Sequence, residues 1–360
     1  MFGNGQRHLS VVLIGTGFIA THKHLPAWRR LRHKARVVAL CDLDRARAEA
    51  VARRFDIPRV YADVGEMLAR EQPDIVDICT PPKTHMPLAI QALEAGSHVL
   101  IEKPMAVTVE ECDRIIQTAR ATGRKVCVIH SDLFYPAFMR AREMVAKGAI
   151  GTFTGMHIFL ATPVSYITSK PEHWAHRLPG GVLGETGPHS VYLTLAFINP
   201  IRDVQIHAQK IFSEYPWSPF EDYRYTLIGD HAVSSVTLTY TTDQWAAKVD
   251  LWGTRGILRI DLESQSLIHY RRPSLNSTTI GFSSFREAWE TVTGTLRTGL
   301  QVLTRRFQST HEVLIRKFLE SIRNGVDPPV SPEEGREAVR VMDLLVRKLE
   351  VKNQKPGTFP

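Results

Sequence analysis

The chain has 360 residues, 43% hydrophobic and 23% charged, with a formal net charge of +8, which is enough to bury substantial cores in two domains. No apolar run approaches the roughly 18 uninterrupted residues of a membrane span, and MFGNGQRHLS lacks the basic-then-apolar layout of a secretory signal, so the expected setting is the cytoplasm. The lysines and arginines are scattered rather than gathered in tracts, which argues against nucleic acid and for an anionic cofactor or substrate. The four cysteines, Cys41, Cys79, Cys112 and Cys127, form no C-x-x-C pair and are expected as reduced thiols without metal.

Over residues 1–130, apolar runs of strand length alternate with segments of helical period. Leu9 to Ile14, Val37 to Cys41, Ile75 to Cys79, His98 to Ile101 and Val126 to Ile129 are nearly continuous in Val, Ile and Leu, the texture of strands buried on both faces. Helical segments lie between them over 17–31, 44–55, 64–71, 85–95 and 108–122, the last opened by Thr108 and Glu111 at capping-box spacing. This alternation predicts an α/β domain of Rossmann type, a doubly wound parallel sheet. After residue 150, the segments 152–161, 203–211, 223–240, 245–252 and 255–270 are rich in Thr, Val, Ile, Tyr and Phe, with turns such as Gly229-Asp230 and Gly253-Thr254-Arg255-Gly256. They predict an α+β domain over 131–360 with one open, mostly antiparallel sheet, whose last helix, 333–351, can fold back on the first domain. Phe285, Trp289, Val292, Leu296, Leu300, Leu303 and Phe307 then recur at steps of three and four, an apolar stripe on a helix over 285–307, with Arg286, Arg297, Arg305 and Arg306 among the rest. Three destinations are open to that stripe: its own domain, another subunit, or an anionic membrane surface.

The first chemical motif, Gly15-Thr16-Gly17-Phe18-Ile19-Ala20, follows the first strand directly. In G-x-G-x-x-A the first glycine permits the tight turn, the second lets backbone approach a pyrophosphate, and the small third residue lets helix and strand pack closely. The next helix would offer its N-terminal N–H groups to the phosphates. Asp42 closes the second strand, 27 positions after Gly15, where its carboxylate would accept from an adenosine ribose and repel a 2′-phosphate. NAD is therefore expected, with Arg45 keeping NADP open; the competing reading of Asp42 is a helix cap. Cys79-Thr80-Pro81-Pro82, with His85 just beyond, and Glu102-Lys103-Pro104 close two further strands, the ends at which open α/β sheets bind ligands.

Together GTGFIA, CTPPKTH, HVLIEKP and the later GGVLGETGPH resemble the Gfo/Idh/MocA family of nicotinamide-dependent sugar and polyol oxidoreductases, over residues 9–350. The resemblance implies that Lys103 projects toward nicotinamide and substrate, and that His189 is the acid/base at the substrate oxygen, with Glu185 as its orienter or a second polar contact. Oxidising a secondary alcohol needs a base for the hydroxyl proton, and such acid–base assistance is worth about 10²–10⁴-fold. Family members commonly carry aspartate where Glu185 stands, one methylene shorter, which bears on Glu185's role as a second polar contact; they often carry an acidic or amide residue where Tyr192 stands, and that departure implies a substrate pocket of different polarity.

Tyr135, His176, Arg177 and Tyr192 are the substrate-contact candidates, and Arg177 would suit a phosphorylated or nucleotide-linked sugar. His173 and His176, three apart, would suit a metal on a helix, yet no further ligand set accompanies them and none is expected. The resemblance implies an NAD(P)-dependent enzyme acting on a sugar, polyol or sugar derivative, assembled as a dimer or tetramer. Two rival readings stand beside it: glycoside cleavage through transient oxidation by a tightly held NAD, and a non-enzymatic dinucleotide-binding regulator on the same fold.

Overall fold

The run Leu9–Ile14 forms β1, in which Val11, Val12 and Leu13 are fully buried, as expected of a strand covered on both faces. A computed structural model describes residues 8–304 and 307–353, and the chain divides into two units, 1–131 with 308–340 and 132–307 with 341–360. In the first unit β1 is joined by β2 (Ala35–Cys41), β3 (Arg59–Tyr61), β4 (Ile75–Ile78), β5 (His98–Ile101) and β6 (Val126–Val128) in the order β3-β2-β1-β4-β5-β6. Every neighbouring pair is parallel. This is the doubly wound order, and its direction reverses between β1 and β4, the switch point where such sheets bind nucleotides.

A π-helical turn, Ala20–His24, leads into α1 (Leu25–Arg30). The remaining crossovers carry α2 (Arg45–Phe55), α3 (Val64–Glu71), α4 (His85–Glu94) and α5 (Val109–Thr122). Asp44, Asp63 and Thr108 cap α2, α3 and α5 by accepting the N–H groups of Arg47, Glu66 and Glu111. Glu111 answers Thr108 as a capping box would, except that its carboxylate accepts the Val107 amide.

The second unit opens with α6 (Pro136–Ala146) and β7 (Phe153–Ala161), followed by α7 (Leu183–Leu195). Then come β8 (Ile201–Gln209), β9 (Asp222–Gly229), β10 (Val233–Thr239), β11 (Ala246–Gly253), β12 (Gly256–Asp261) and β13 (Ser266–Tyr270). The sheet order is β13-β12-β11-β7-β10-β9-β8. Its pairs are antiparallel except β7 with β10. The runs 223–240 and 255–270 are each a hairpin, and Thr254-Arg255 is the two-residue turn between the paired Gly253 and Gly256. Helix α7 lies against β7 and β10, and α6 against β12 and β13.

Helix α8 (Ser277–Leu303) packs against the edge strand β13 and is capped by Asn276, which accepts the Thr279 N–H. It starts eight residues before the expected helix and ends at Leu303, so Phe307 lies beyond it; Arg305 and Arg306 are outside the described residues. Its stripe is exposed: Phe285, Trp289, Val292, Leu296, Leu300 and Leu303 face outward, and Ser283 is the helix's buried residue. The stripe therefore does not serve its own unit's core. Finally α9 (Thr310–Asn324) belongs to the first unit, as does α10 (Pro332–Asn353) up to Arg340. There Arg336 donates to both oxygens of Asp113, and Gly335 comes so close to β6 that a Cβ would meet Val128 Cγ2 at 2.6 Å. No helix of the described residues is long and apolar enough to cross a membrane.

Candidate active site

Gly15 ends β1 at φ +90°, and a Cβ there would sit 2.9 Å from both the Cys79 carbonyl oxygen and Thr80 Cγ2. Only glycine lets the turn lie this close to the end of β4. A Cβ on Gly17, by contrast, would meet nothing within 4 Å, the open cradle that a pyrophosphate approaching the backbone requires. The two glycines are thus separable. Gly15→Ala is expected to lower the unfolding free energy by about 1–3 kcal/mol in a urea titration, and Gly17→Ala to leave it within about 1 kcal/mol. Phe18 is exposed and stacks on His22, while Ile19 packs on the cluster that includes Leu13 and Leu40.

Asp42 is buried at the end of β2. Its Oδ2 accepts the N–H and the hydroxyl of Thr16, both at 2.7 Å, and its Oδ1 accepts Arg47 Nη2 at 2.7 Å and the Asp44 N–H at 2.9 Å. Burial pushes the carboxyl's pKa up, but these donors more than offset it and hold it below the usual value. Asp42 therefore braces the glycine turn with a carboxylate that stays ionised. Arg45 lies on the outer side of α2, paired with Glu49 at 3.0 Å, and the cation on Asp42 is Arg47.

The ends of β4 and β5 are tied together by His85, fully buried, whose Nε2 faces the Thr80 carbonyl at 2.7 Å and whose Nδ1 faces the Pro104 carbonyl at 2.9 Å. Thr80 itself accepts the Thr84 hydroxyl at 2.8 Å, and Pro81 precedes a 3-10 turn, Pro82–Thr84, that opens α4. Lys103 is half-buried, and the Lys103–Pro104 peptide is cis. The Glu102 carboxylate is turned into the unit. Its Oε2 accepts the Lys103 N–H at 3.0 Å and its Oε1 accepts His24 Nε2 at 2.9 Å.

His24 Nδ1 donates in turn to Asp77 at 2.9 Å, and Asp77 also accepts Trp28 Nε1 at 2.7 Å. Burial alone would pull the His24 pKa down, but Asp77 raises it well above the ordinary value, so the ring is an imidazolium held between two carboxylates. His311 stands edge-on to it, its Nε2 3.6 Å from Glu102, too long for a hydrogen bond. His24, Asp77 and Cys79, and likewise His24, Glu102 and His311, have donor atoms close enough to share an ion. Yet an imidazolium protonated on both nitrogens offers no lone pair, and burial pushes the Cys79 thiol far up, away from the thiolate a metal needs.

In the second unit, α7 begins at Leu183 and runs through Gly187 and Pro188, so Glu185 and His189 sit one turn apart on one helix. His189 Nδ1 lies 2.7 Å from Asp132 Oδ2 and 2.7 Å from the Tyr192 hydroxyl, and the Asp132 N–H donates to that hydroxyl at 3.3 Å. Because a carboxylate only accepts, Nδ1 carries the proton and Nε2 the lone pair. Asp132, in the short turn Ser131–Phe134, is thus the carboxylate bonded to His189, a residue the sequence did not single out. Glu185 Oε2 accepts the Thr186 hydroxyl at 2.8 Å and its charge acts on His173. Tyr192 is 2% exposed, and burial, reinforced by Asp132, raises its phenol well above the usual range. Tyr135 caps α6 beside Asp132. His176 Nε2 approaches the Ile167 carbonyl at 3.2 Å while its Nδ1 is buried without a hydrogen-bond partner, and Arg177 is exposed.

A family model described as "Oxidoreductase family, NAD-binding Rossmann fold" matches residues 9–130, and one for the GFO/IDH/MocA C-terminal domain matches 138–259. The chain belongs to the Gfo/Idh/MocA family of oxidoreductases. Among curated relatives, an uncharacterized protein of Saccharomyces cerevisiae is 28% identical over 211 residues, 56% of this chain and 59% of its own, so this chain matches less than two thirds of that relative's length. The D-apiose dehydrogenase of Paraburkholderia graminis is 25% identical over 344 residues, 92% of this chain and 84% of its own. Among solved structures, the WlbA dehydrogenase of Bordetella pertussis in complex with NADH and UDP-GlcNAcA shares the fold at a TM-score of 0.76 and 18% identity, covering 96% of this chain and 97% of that one.

Proposed function

We propose that the chain is an NAD-dependent dehydrogenase or reductase that transfers a hydride between nicotinamide and a secondary alcohol of a sugar, polyol or sugar derivative. The observation that carries this reading is the state of His189, whose proton is fixed on Nδ1 by Asp132 and whose Nε2 is left as a base. The family's NAD-binding description and the sugar-directed names of the apiose and UDP-GlcNAcA relatives support it.

The cofactor supplies two-electron chemistry at the alcohol carbon. His189 Nε2 takes the hydroxyl proton as the alcohol is oxidised and returns it in the other direction, while Asp132 and Tyr192 hold the ring and stabilise its charged form. The Lys103 ammonium is assigned, from the family resemblance, to stabilising negative charge that develops as the alcohol is oxidised. Gly15, Thr16, Gly17, Phe18, Ile19, Thr80 and Pro81 hold the dinucleotide, and His85 and Glu102 position the turns around it. Asp42, kept ionised, favours a ribose 2′-hydroxyl over a 2′-phosphate, and Arg47 rather than Arg45 is the cation that would accommodate NADP. Tyr135, Glu185, His176 and Arg177 select the substrate.

The deciding experiment screens sugars, sugar acids, inositols and nucleotide sugars with NAD and NADP, reading reduced-nicotinamide absorbance for the wild type and for His189→Asn. Turnover that His189→Asn abolishes supports the reading; NADH binding with turnover on no class would leave the regulator. Release of a free sugar without net NADH would favour transient oxidation in glycoside cleavage. Asp132→Asn, which removes the carboxylate facing His189 Nδ1, is expected to lower kcat roughly 10²-fold. Gly17→Ala is expected to weaken NADH binding at least tenfold by fluorescence titration, since its Cβ would enter the space left for phosphate.

A further inference from the structure

Helix α8 is amphipathic the wrong way round. The residues it turns toward its own unit are small or polar: Ser283 accepts Arg272 Nε, Glu287 pairs with Arg272, Glu290 accepts the His269 amide, and a Cβ on Gly294 would lie 3.1 Å from Ser266 Cα. The opposite side carries Phe282, Phe285, Trp289, Val292, Leu296 and Leu303, with Leu300 beside them, at exposures from 50% to 83%. Single exposed apolar residues mean little, but a contiguous face of this kind marks an interface.

We propose that the outward face of α8 is a self-association seam, against which a second copy of this chain lays the same helix about a two-fold axis. The spacing fits such a seam. From Phe282 to Leu303 the apolar positions advance by three or four with a mean of 3.5, the period of a helix-to-helix seam, and the stripe is narrower than the broad face a helix lays on a core or a bilayer.

The area suffices as well. Three aromatics that each bury about 150–250 Å² and four aliphatic side chains leave roughly 1,000 Å² of apolar surface per copy, above the ~800 Å² per partner of a standard interface. The helix spans about 40 Å at 1.5 Å per residue, so one copy of itself is long enough to cover the whole stripe.

The charge on the helix favours protein over lipid. A helix that lies on anionic lipid presents lysine and arginine along its polar face. Here the helix holds two arginines, Arg286 and Arg297, against Glu287 and Glu290, so it carries no net charge. Arg286 is spent on Glu290 at 2.9 Å, Arg272 turns inward to Glu287 and the Tyr270 ring, and Arg271 turns to His269. A neutral, narrow, self-complementary stripe suits an identical helix better than a phosphate-rich surface.

Light scattering on the full chain across a concentration series tests this. The wild type is expected to have at least twice the mass of Trp289→Glu/Leu296→Arg, with far-UV circular dichroism and cofactor-dependent turnover the same in both. Val292 is the midpoint of the stripe, so it sits near the two-fold axis in an antiparallel pairing and opposite its equivalent in a parallel one. Val292→Cys is therefore expected to give a covalent dimer on mild oxidation, against a low background because the four native cysteines are buried. Should the double variant fail to fold, the cysteine cross-link decides alone. Equal masses for a folded double variant and the wild type, with no cross-link, would overturn the proposal. So would a monomeric wild type that sediments with phosphatidylserine vesicles through the same stripe, which would assign the face to lipid.

Discussion

Lys103→Met is expected to lower kcat roughly 10²–10⁴-fold while NADH still binds. The separation follows from how the turn is held. The Lys103 amide is anchored on Glu102, the Pro104 carbonyl on His85, and Glu102 on His24, so none of these bonds uses the lysine side chain's ammonium. Methionine keeps the apolar stem and removes the charge, which isolates the chemistry of the amine from the shape of the turn. Lys103→Arg should not restore turnover, because a guanidinium presents a planar fork where a compact donor is needed. Combined with His189→Asn the losses are expected to be less than additive, as for groups that act in one step. A Lys103→Met enzyme within threefold of wild type on the substrate found by the screen would remove the lysine from the mechanism.

Much of the first unit was legible because parallel strands are continuous apolar runs and helices announce themselves by their caps. Strands over 9–14 and 98–101 and the helix over 64–71 fall where the pattern puts them. The edge strand Arg59–Tyr61 is three residues long with one buried side chain, too short for any period to show. In the site, residue types were legible and partnerships were not. The spacing of Glu185 and His189 on α7 pointed to an internal pair, but the carboxylate bonded to His189 is Asp132, 57 positions away, a choice made by tertiary packing. Similarly, Arg45 and Arg47 are equivalent in sequence, and only the phase of α2 beyond its Asp44 cap decides that Arg47 returns to Asp42. The stripe on α8 was visible from its spacing, whereas which side of the helix faces β13 depended on a row of small and polar residues that carries no hydrophobic signal.

Asp77→Ala is expected to destabilise the first unit by about 3–5 kcal/mol in urea unfolding, because it strands the buried His24 imidazolium and the Trp28 N–H together. Asp77→Asn should cost less, since it keeps an acceptor while losing the charge. The same network fixes a pH dependence. The folded pKa of His24 is raised, so its contribution is complete below the unfolded value of 6.5 and is lost as pH rises through the folded value. For Glu102, burial alone would raise the pKa, but the hydrogen bond from His24 and the charge around it lower it well below 4.5. Its contribution is therefore complete above 4.5 and is lost as pH falls through the folded value. His311 faces the same carboxylate, but burial lowers its pKa, so it opposes folding as pH falls below 6.5. The signature of His24 is thus isolated in the difference between wild type and His24→Gln. That stability difference should be greatest between pH 4.5 and 6.5 and shrink steadily above 6.5. A difference that stays flat from pH 6 to 9 would mean that the ring is neutral, and that Asp77 and Glu102 are braced by something other than its charge.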